Sequence, residues 1–155
     1  MWLEEHLRHS RGYGIHSPFL YRIVREAMMP LRVRSKEKAL YEALRAKGVG
    51  RRAATRAQNL LTTLGYTSWS IDEPNGNNEG LSIATPECQL QMIEAMVDGL
   101  RTRSGAVCVI HRLGDQKRRA ICKGLTIGHN CLSASKPTMK LFFNQQGVSK
   151  QHIVI

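Results

Sequence analysis

Two stretches of this chain gather residue types that could do chemistry. Arg11-Gly12-Tyr13-Gly14-Ile15-His16-Ser17-Pro18 brings a guanidinium, a phenol and an imidazole to the start of a helix. Unpaired backbone N–H groups give a helix start partial positive charge, and Gly12 and Gly14 let the backbone turn sharply or lie close to a ligand. The stretch reads either as a capped helix start or as a ligand-facing flap. Val107-Cys108-Val109-Ile110-His111-Arg112 puts His111 and Arg112 at the carboxyl end of an apolar strand, the edge where open α/β sheets bind ligands. The bland alternative there is a solvated strand-end histidine.

Other chemistries find less support. Cys122, His129 and Cys131 offer soft ligands for zinc, but their spacing matches no finger or ribbon and a fourth ligand is missing, so no metal is expected. Ser17, Ser70 and Ser82 lack the context of a serine elbow, and no phosphate-cradling P-loop is present.

Arg11-Gly12-Tyr13-Gly14-Ile15-His16-Ser17-Pro18-Phe19-Leu20-Tyr21 resembles the N-terminal signature of a group of bacterial class I S-adenosylmethionine-dependent methyltransferase-like proteins. Leu141-Phe142-Phe143 and Ser149-Lys150-Gln151-His152-Ile153-Val154-Ile155 resemble that group's closing strands, and Val107-Cys108-Val109-Ile110-His111 resembles the strand before them. The resemblance implies S-adenosylmethionine at the carboxyl ends of parallel strands, beside a glycine-rich turn after the first strand and an acid after the second. Carried onto this chain, it sets Asp72, Gly76 and Gly80 near the cofactor and Tyr13, His16 and His111 toward substrate. In Asp72-Glu73-Pro74-Asn75-Gly76, however, glycine comes late and Pro74 restricts both itself and Glu73. No acid closes Leu81-Ser82-Ile83-Ala84, and Val109-Ile110 stand where the group has acidic residues. The expectation is a shortened, degenerate methyltransferase-like protein of unknown substrate, with cofactor binding weak or lost and no residue assigned a catalytic role.

The charge supplies a rival reading. Of a net +11, residues 1–65 hold 13 Lys/Arg against 5 Asp/Glu and residues 66–155 hold 10 against 7. A basic surface attracts polyanions through salt-sensitive forces. The alternative function is therefore a non-catalytic basic module binding nucleic acid or an acidic protein through its N-terminal arginines and lysines, although no nucleic-acid motif is present. No apolar run approaches the roughly 20 residues that span a bilayer, and Met1-Trp2-Leu3-Glu4-Glu5 is unlike a signal peptide. A cytoplasmic protein without membrane contact is expected. Cys88, Cys108, Cys122 and Cys131 form no C-x-x-C pair and sit in or beside apolar segments, so they read as buried thiols.

The elements that must position these residues follow from capping and periodicity. A short helix is expected at 2–9. Ser17 as N-cap and Pro18 at the first helical position begin a helix with inward Leu20, Ile23, Val24, Ala27 and Met28, which Pro30 stops. Ser35 is expected to cap a helix over 36–47, and a further helix over 51–64 should end at Gly65. From Tyr66 the period changes: strands are expected at 66–71 and 81–84, with a loop at 72–80 between them. Thr85-Pro86-Glu87 reads as the start of a helix through Leu100, and 106–110 as a buried parallel strand, which together complete a βαβ unit. Asp115 should cap a helix over 116–123 that Gly124 ends, and strands at 131–135, 138–144 and 150–155 are spaced for antiparallel pairing. The fold expected is a single α/β domain: a helical part over 1–65 and, over 66–155, a small three-layer Rossmann-like, methyltransferase-type sheet with antiparallel closing strands.

Overall fold

The capping residues set the first helix. In the computed structural model, which describes residues 17–145 and 150–155, Ser17 Oγ accepts a hydrogen bond from Leu20 N at 3.2 Å, and Pro18 opens α1 (Pro18–Ile23), which winds on as a π-helical turn over Val24–Met28. The helix expected at 2–9 lies outside the described residues, as do Tyr13 and His16. Next come α2 (Ala39–Ala46) and α3 (Arg51–Leu64), the latter closed by Gly65 at φ +71°, the left-handed conformation that favours glycine. Helix α2 begins later than residue 36 because the Ser35 hydroxyl accepts from Glu37 N in a local turn.

Polar side chains of α3 hold this helical part together. Helix α2 has no side-chain cap of its own, and Gln58 Oε1 supplies one by accepting from Tyr41 N at 3.0 Å. Asn59, fully buried, accepts from Arg34 N at 2.9 Å and donates to Arg32 O at 3.0 Å, so one amide pairs with the connector as a neighbouring peptide would. Arg56 Nε donates to Met28 O at 3.2 Å, beyond the end of α1.

The single domain expected from length divides into two compact units: one holds the described residues up to Tyr66 with Ile153–Ile155, the other Thr67–His152. The division falls where the hydrophobic period changes. After Tyr66 come β1 (Ser68–Ile71), β2 (Gly80–Ala84), α4 (Leu90–Gly99), β3 (Gly105–Ile110), α5 (Gln116–Gly128), β4 (Leu132–Lys136), β5 (Met139–Asn144) and β6 (Gln151–Val154). The strands form one six-stranded sheet in the order β1-β2-β3-β5-β4-β6. Strands β1, β2 and β3 run parallel, and β5 runs antiparallel to both of its neighbours, β3 and β4. The mixed α/β fold, the parallel βαβ unit and the antiparallel close are as expected, with a six-stranded sheet consistent with a small Rossmann-like protein.

Strand β3 is buried along its whole length, as its unbroken apolar run requires. On one face Val107, Val109, Ala84 and Phe142 pack with Ile93, Met96, Val97 and Leu100 of the α4 segment and Cys122 of α5. All four cysteines are buried and free. Helix α5 runs past Gly124 to Gly128, because Leu125 packs against that core and Thr126 Oγ1 donates to Cys122 O at 2.8 Å. Helix α4 begins at Leu90 rather than at Pro86, because the backbone of residues 85–88 is committed to other partners at the sheet's carboxyl edge.

Asn59→Ala removes a buried amide and leaves Arg34 N and Arg32 O without it, and is expected to cost about 2 kcal/mol in urea unfolding. Thr62→Ala, on the exposed side of the same helix, should stay within roughly 0.5 kcal/mol.

Candidate functional site at the carboxyl edge of the sheet

Parallel strands are ordinarily joined by a crossover of a dozen or more residues, usually containing a helix. Here β1 and β2 are joined by residues 72–79, eight in all and without a helix. Polar contacts make so short a return stable. Asn75, buried, donates from its backbone N–H to Ser82 Oγ at 3.0 Å and from Nδ2 to Ser68 Oγ at 2.9 Å, while its Oδ1 accepts from Asn77 N at 3.0 Å. Arg103, also buried, donates to Asn77 O at 3.2 Å and to Gly80 O at 3.0 Å. The register sets Ser68, Gly80 and Gly105 on one rung, so small residues line the face where the loop lies. A Cβ at Gly80 would meet the Asn75 amide at 2.7–2.8 Å, and one at Gly105 would meet the Arg103 guanidinium at 1.9 Å.

The sequence candidates now have places. Asp72 follows β1 at φ +59°, a strained conformation for a residue other than glycine, and its carboxylate accepts from Thr85 N and Thr85 Oγ1, both at 2.7 Å. It therefore ties the end of β1 to the end of β2. Gly76 is exposed, with open space where a Cβ would stand, and Gly80 makes room for Asn75 at the opposite end of β2. Asp72, Gly76 and Gly80 thus belong to one loop and its anchors but do not converge on one point. His111, read from sequence as facing substrate, follows β3 and is 2% exposed, so the alternative of a solvated strand-end histidine does not hold. Its N–H donates to Thr138 O at 3.0 Å; Nδ1 lies 3.3 Å from Arg112 O, while Nε2 is buried without a partner.

Sequence reading missed the group at the centre of this edge. Arg118 is 2% exposed, and its guanidinium donates to Thr85 O at 2.6 Å, Ile110 O at 2.9 Å and Pro86 O at 3.1 Å, and also to Cys88 O. Its Nε lies 3.6 Å from the carboxylate of Asp115, which caps α5 by accepting from Arg118 N at 3.1 Å. One cation thereby fastens the turn after β2 to the end of β3. A signal was present: Arg118, Cys122 and Leu125 recur at helical spacing on the apolar stripe of α5, where a charge is out of place.

The electrostatics argue against covalent chemistry at this edge. Burial, and then the negative Asp72 beside it, push the Cys88 thiol up to about 11 against an opposing pull from Arg118, so it stays protonated at neutral pH. Burial pushes the Cys122 thiol up to about 11 as well. Burial lowers the pKa of His111 despite its bond to Arg112 O, and the charges of Lys140, Arg119 and Arg118 lower it further. The described residues contain no cluster of metal-ligating side chains and no helix long and apolar enough to cross a membrane. Compared with known protein families, with curated proteins and with solved structures, the chain matches none.

Two tests follow from this geometry. Asp72 and Glu79 bracket the loop at φ +59° and +56°. Glu79→Gly should be neutral or stabilising by up to about 1 kcal/mol, since it relieves left-handed strain at an exposed site. Asp72→Gly should lose about 2 kcal/mol, because both bonds to Thr85 go with the carboxylate. The second test is stability against pH. Burial lowers the pKa of His111, His129 and His152 alike. The unfolded chain therefore takes up these protons first, and their contribution to stability, full above roughly pH 6.5, is lost as pH falls below it. Urea midpoints should drop between pH 7.5 and 5.5, with a shallower drop in His111→Asn.

Proposed function

We propose that this chain is a shortened, degenerate relative of class I methyltransferases that keeps their sheet while its binding of S-adenosylmethionine is weak or lost. The observation carrying this reading is the connection after β1. Where the resemblance implies a glycine-rich turn open to a cofactor, residues 72–79 fold back over the small residues of β1, β2 and β3, and Asn75 fills the space above Gly80. Asp72 spends its carboxylate on Thr85, which leaves that acid committed to the fold. The protonated thiols and the buried, neutral His111 likewise favour a scaffold over a catalyst.

Calorimetric titration with S-adenosylmethionine and with its demethylated product tests this reading. The expected Kd is no tighter than about 1 mM, equivalent to roughly −4 kcal/mol. Micromolar binding abolished by Asp72→Ala would restore an active methyltransferase.

A second reading rests on the exposed cations of the helical unit. Arg25, Arg32, Lys36, Lys38, Arg45, Lys47, Arg51 and Arg52 are all exposed, whereas the acids described there are Glu26, Glu37 and Glu42. This excess suits a non-catalytic module that binds nucleic acid or an acidic protein by charge. Unrelated RNAs should then bind with similar affinity, and log K should fall with log salt by about 0.7 per phosphate contacted on a single strand. A preference for one sequence that persists at high salt would contradict it.

A further inference from the structure

Three consecutive carbonyls in the turn between β4 and β5 draw together groups from three elements. Lys140 Nζ donates to Lys136 O at 3.1 Å, Arg119 Nη2 to Pro137 O at 3.2 Å, and the His111 backbone N–H to Thr138 O at 3.0 Å. Lys140 shares a rung with Ser135 and Val109, and side chains on one rung point to the same face. His152 lies on that face too, its Nδ1 2.7 Å from Ser133 Oγ and its Nε2 3.3 Å from Ser135 Oγ.

Positive charge is collected here without an acid to balance it. Among the described residues, neither Lys140 nor Arg119 takes part in an ion pair. Burial, with Arg119 adding to it, lowers the pKa of the Lys140 ammonium, and the charge of Lys140 in turn bears on His111 and His152. Cys122 of α5 is close to Lys140, but its protonated thiol brings no negative charge at neutral pH. Arg118, the remaining cation near His111, is spent on backbone carbonyls. Like charges crowded at a half-buried place destabilise one another unless something anionic joins them.

We propose that Lys140, Arg119, Ser135 and His152 form a binding site for a phosphate-type oxoanion, taken either as the free ion or as the phosphomonoester of a small molecule. The donor inventory fits. An ammonium has three N–H groups and a guanidinium five, and the carbonyl contacts above use one of each; the Ser135 hydroxyl adds one more, held in place by the His152 ring, whose two nitrogens lie against Ser133 and Ser135. Charge-assisted bonds of this kind are the strong ones, and a tetrahedral anion can accept several together. The site lies at the carboxyl edge of the parallel strands, where open α/β sheets bind ligands. His111, on which the charges of Lys140 and Arg119 bear, has its Nε2 unpartnered, so an arriving anion would favour its protonation. This inference does not depend on the methyltransferase reading.

The test titrates the full chain with inorganic phosphate, with glycerol phosphate and with chloride at matched ionic strength, following the ring signals of His152 and His111 by NMR. The same titrations are run on Lys140→Gln and on the exposed-site variant Arg119→Gln, which keeps a folded comparison if the first fails to fold. Saturable shifts with the phosphates but not with chloride are expected, with both histidine pKa values rising on binding and affinity falling roughly tenfold or more in each variant. Equal affinity for the two phosphates would assign the site to the free ion, and tighter glycerol phosphate to a phosphomonoester. Phosphate behaving like chloride, or variants binding as the parent does, would overturn the proposal.

Discussion

The buried guanidinium of Arg118 is the interaction on which the carboxyl edge depends. A permanent charge at 2% exposure needs partners, and here carbonyls of Thr85, Pro86, Cys88 and Ile110 accept from its two terminal nitrogens, while Nε, without a hydrogen-bond partner, has the Asp115 carboxylate 3.6 Å away to balance its charge. Those carbonyls come from the turn after β2 and the end of β3, and the guanidinium itself from α5. Fixing the three together determines where α4 can begin and how His111 is enclosed. Burial, with Asp72 beside it, keeps the Cys88 thiol protonated against the opposing pull of Arg118.

Much of the architecture was legible because it rests on local chemistry. Ser17 and Asp115 cap as their side chains suggest, Gly65 adopts the left-handed conformation that ends α3, and the apolar run of β3 is buried throughout. Two of the failures share a cause: a helix end given a local cap in the reading takes a distant partner in the fold. Thr85 looks like a helix cap, yet its hydroxyl donates to Asp72 thirteen positions away. The N-terminus of α2 is capped from another helix, by Gln58, which no local pattern could announce. The candidate site was legible only in outline. The edge of the sheet could be named from topology, but Arg118 and Arg119 acquire meaning from carbonyls of Pro86 and Pro137 that lie far away in sequence.

The loop of residues 72–79 shows how parallel strands of an α/β sheet can be joined without a crossover helix. A helix would cover the parallel strands with apolar side chains; here the Asn75 amide of the loop and the Arg103 guanidinium lie against the Ser68 and Ser82 hydroxyls and backbone carbonyls. Such a network demands close approach, and the sequence answers with Gly80, Ser82 and Gly105 where a full α/β protein would carry branched aliphatics. A short connection and small residues in the strands beneath it are therefore a single physical requirement.

That same loop alters the order in which the sheet can assemble. Parallel strands are slow to pair because their connection must be closed before any contact rewards it, and closure entropy grows with the logarithm of its length. Closing eight residues rather than a crossover of about 25 lowers that entropic cost by roughly 1 kcal/mol. In most open sheets a parallel pair is among the most non-local of contacts. In this one β1 and β2 meet almost as locally as a hairpin does, and they can nucleate the parallel half before β3 arrives across α4.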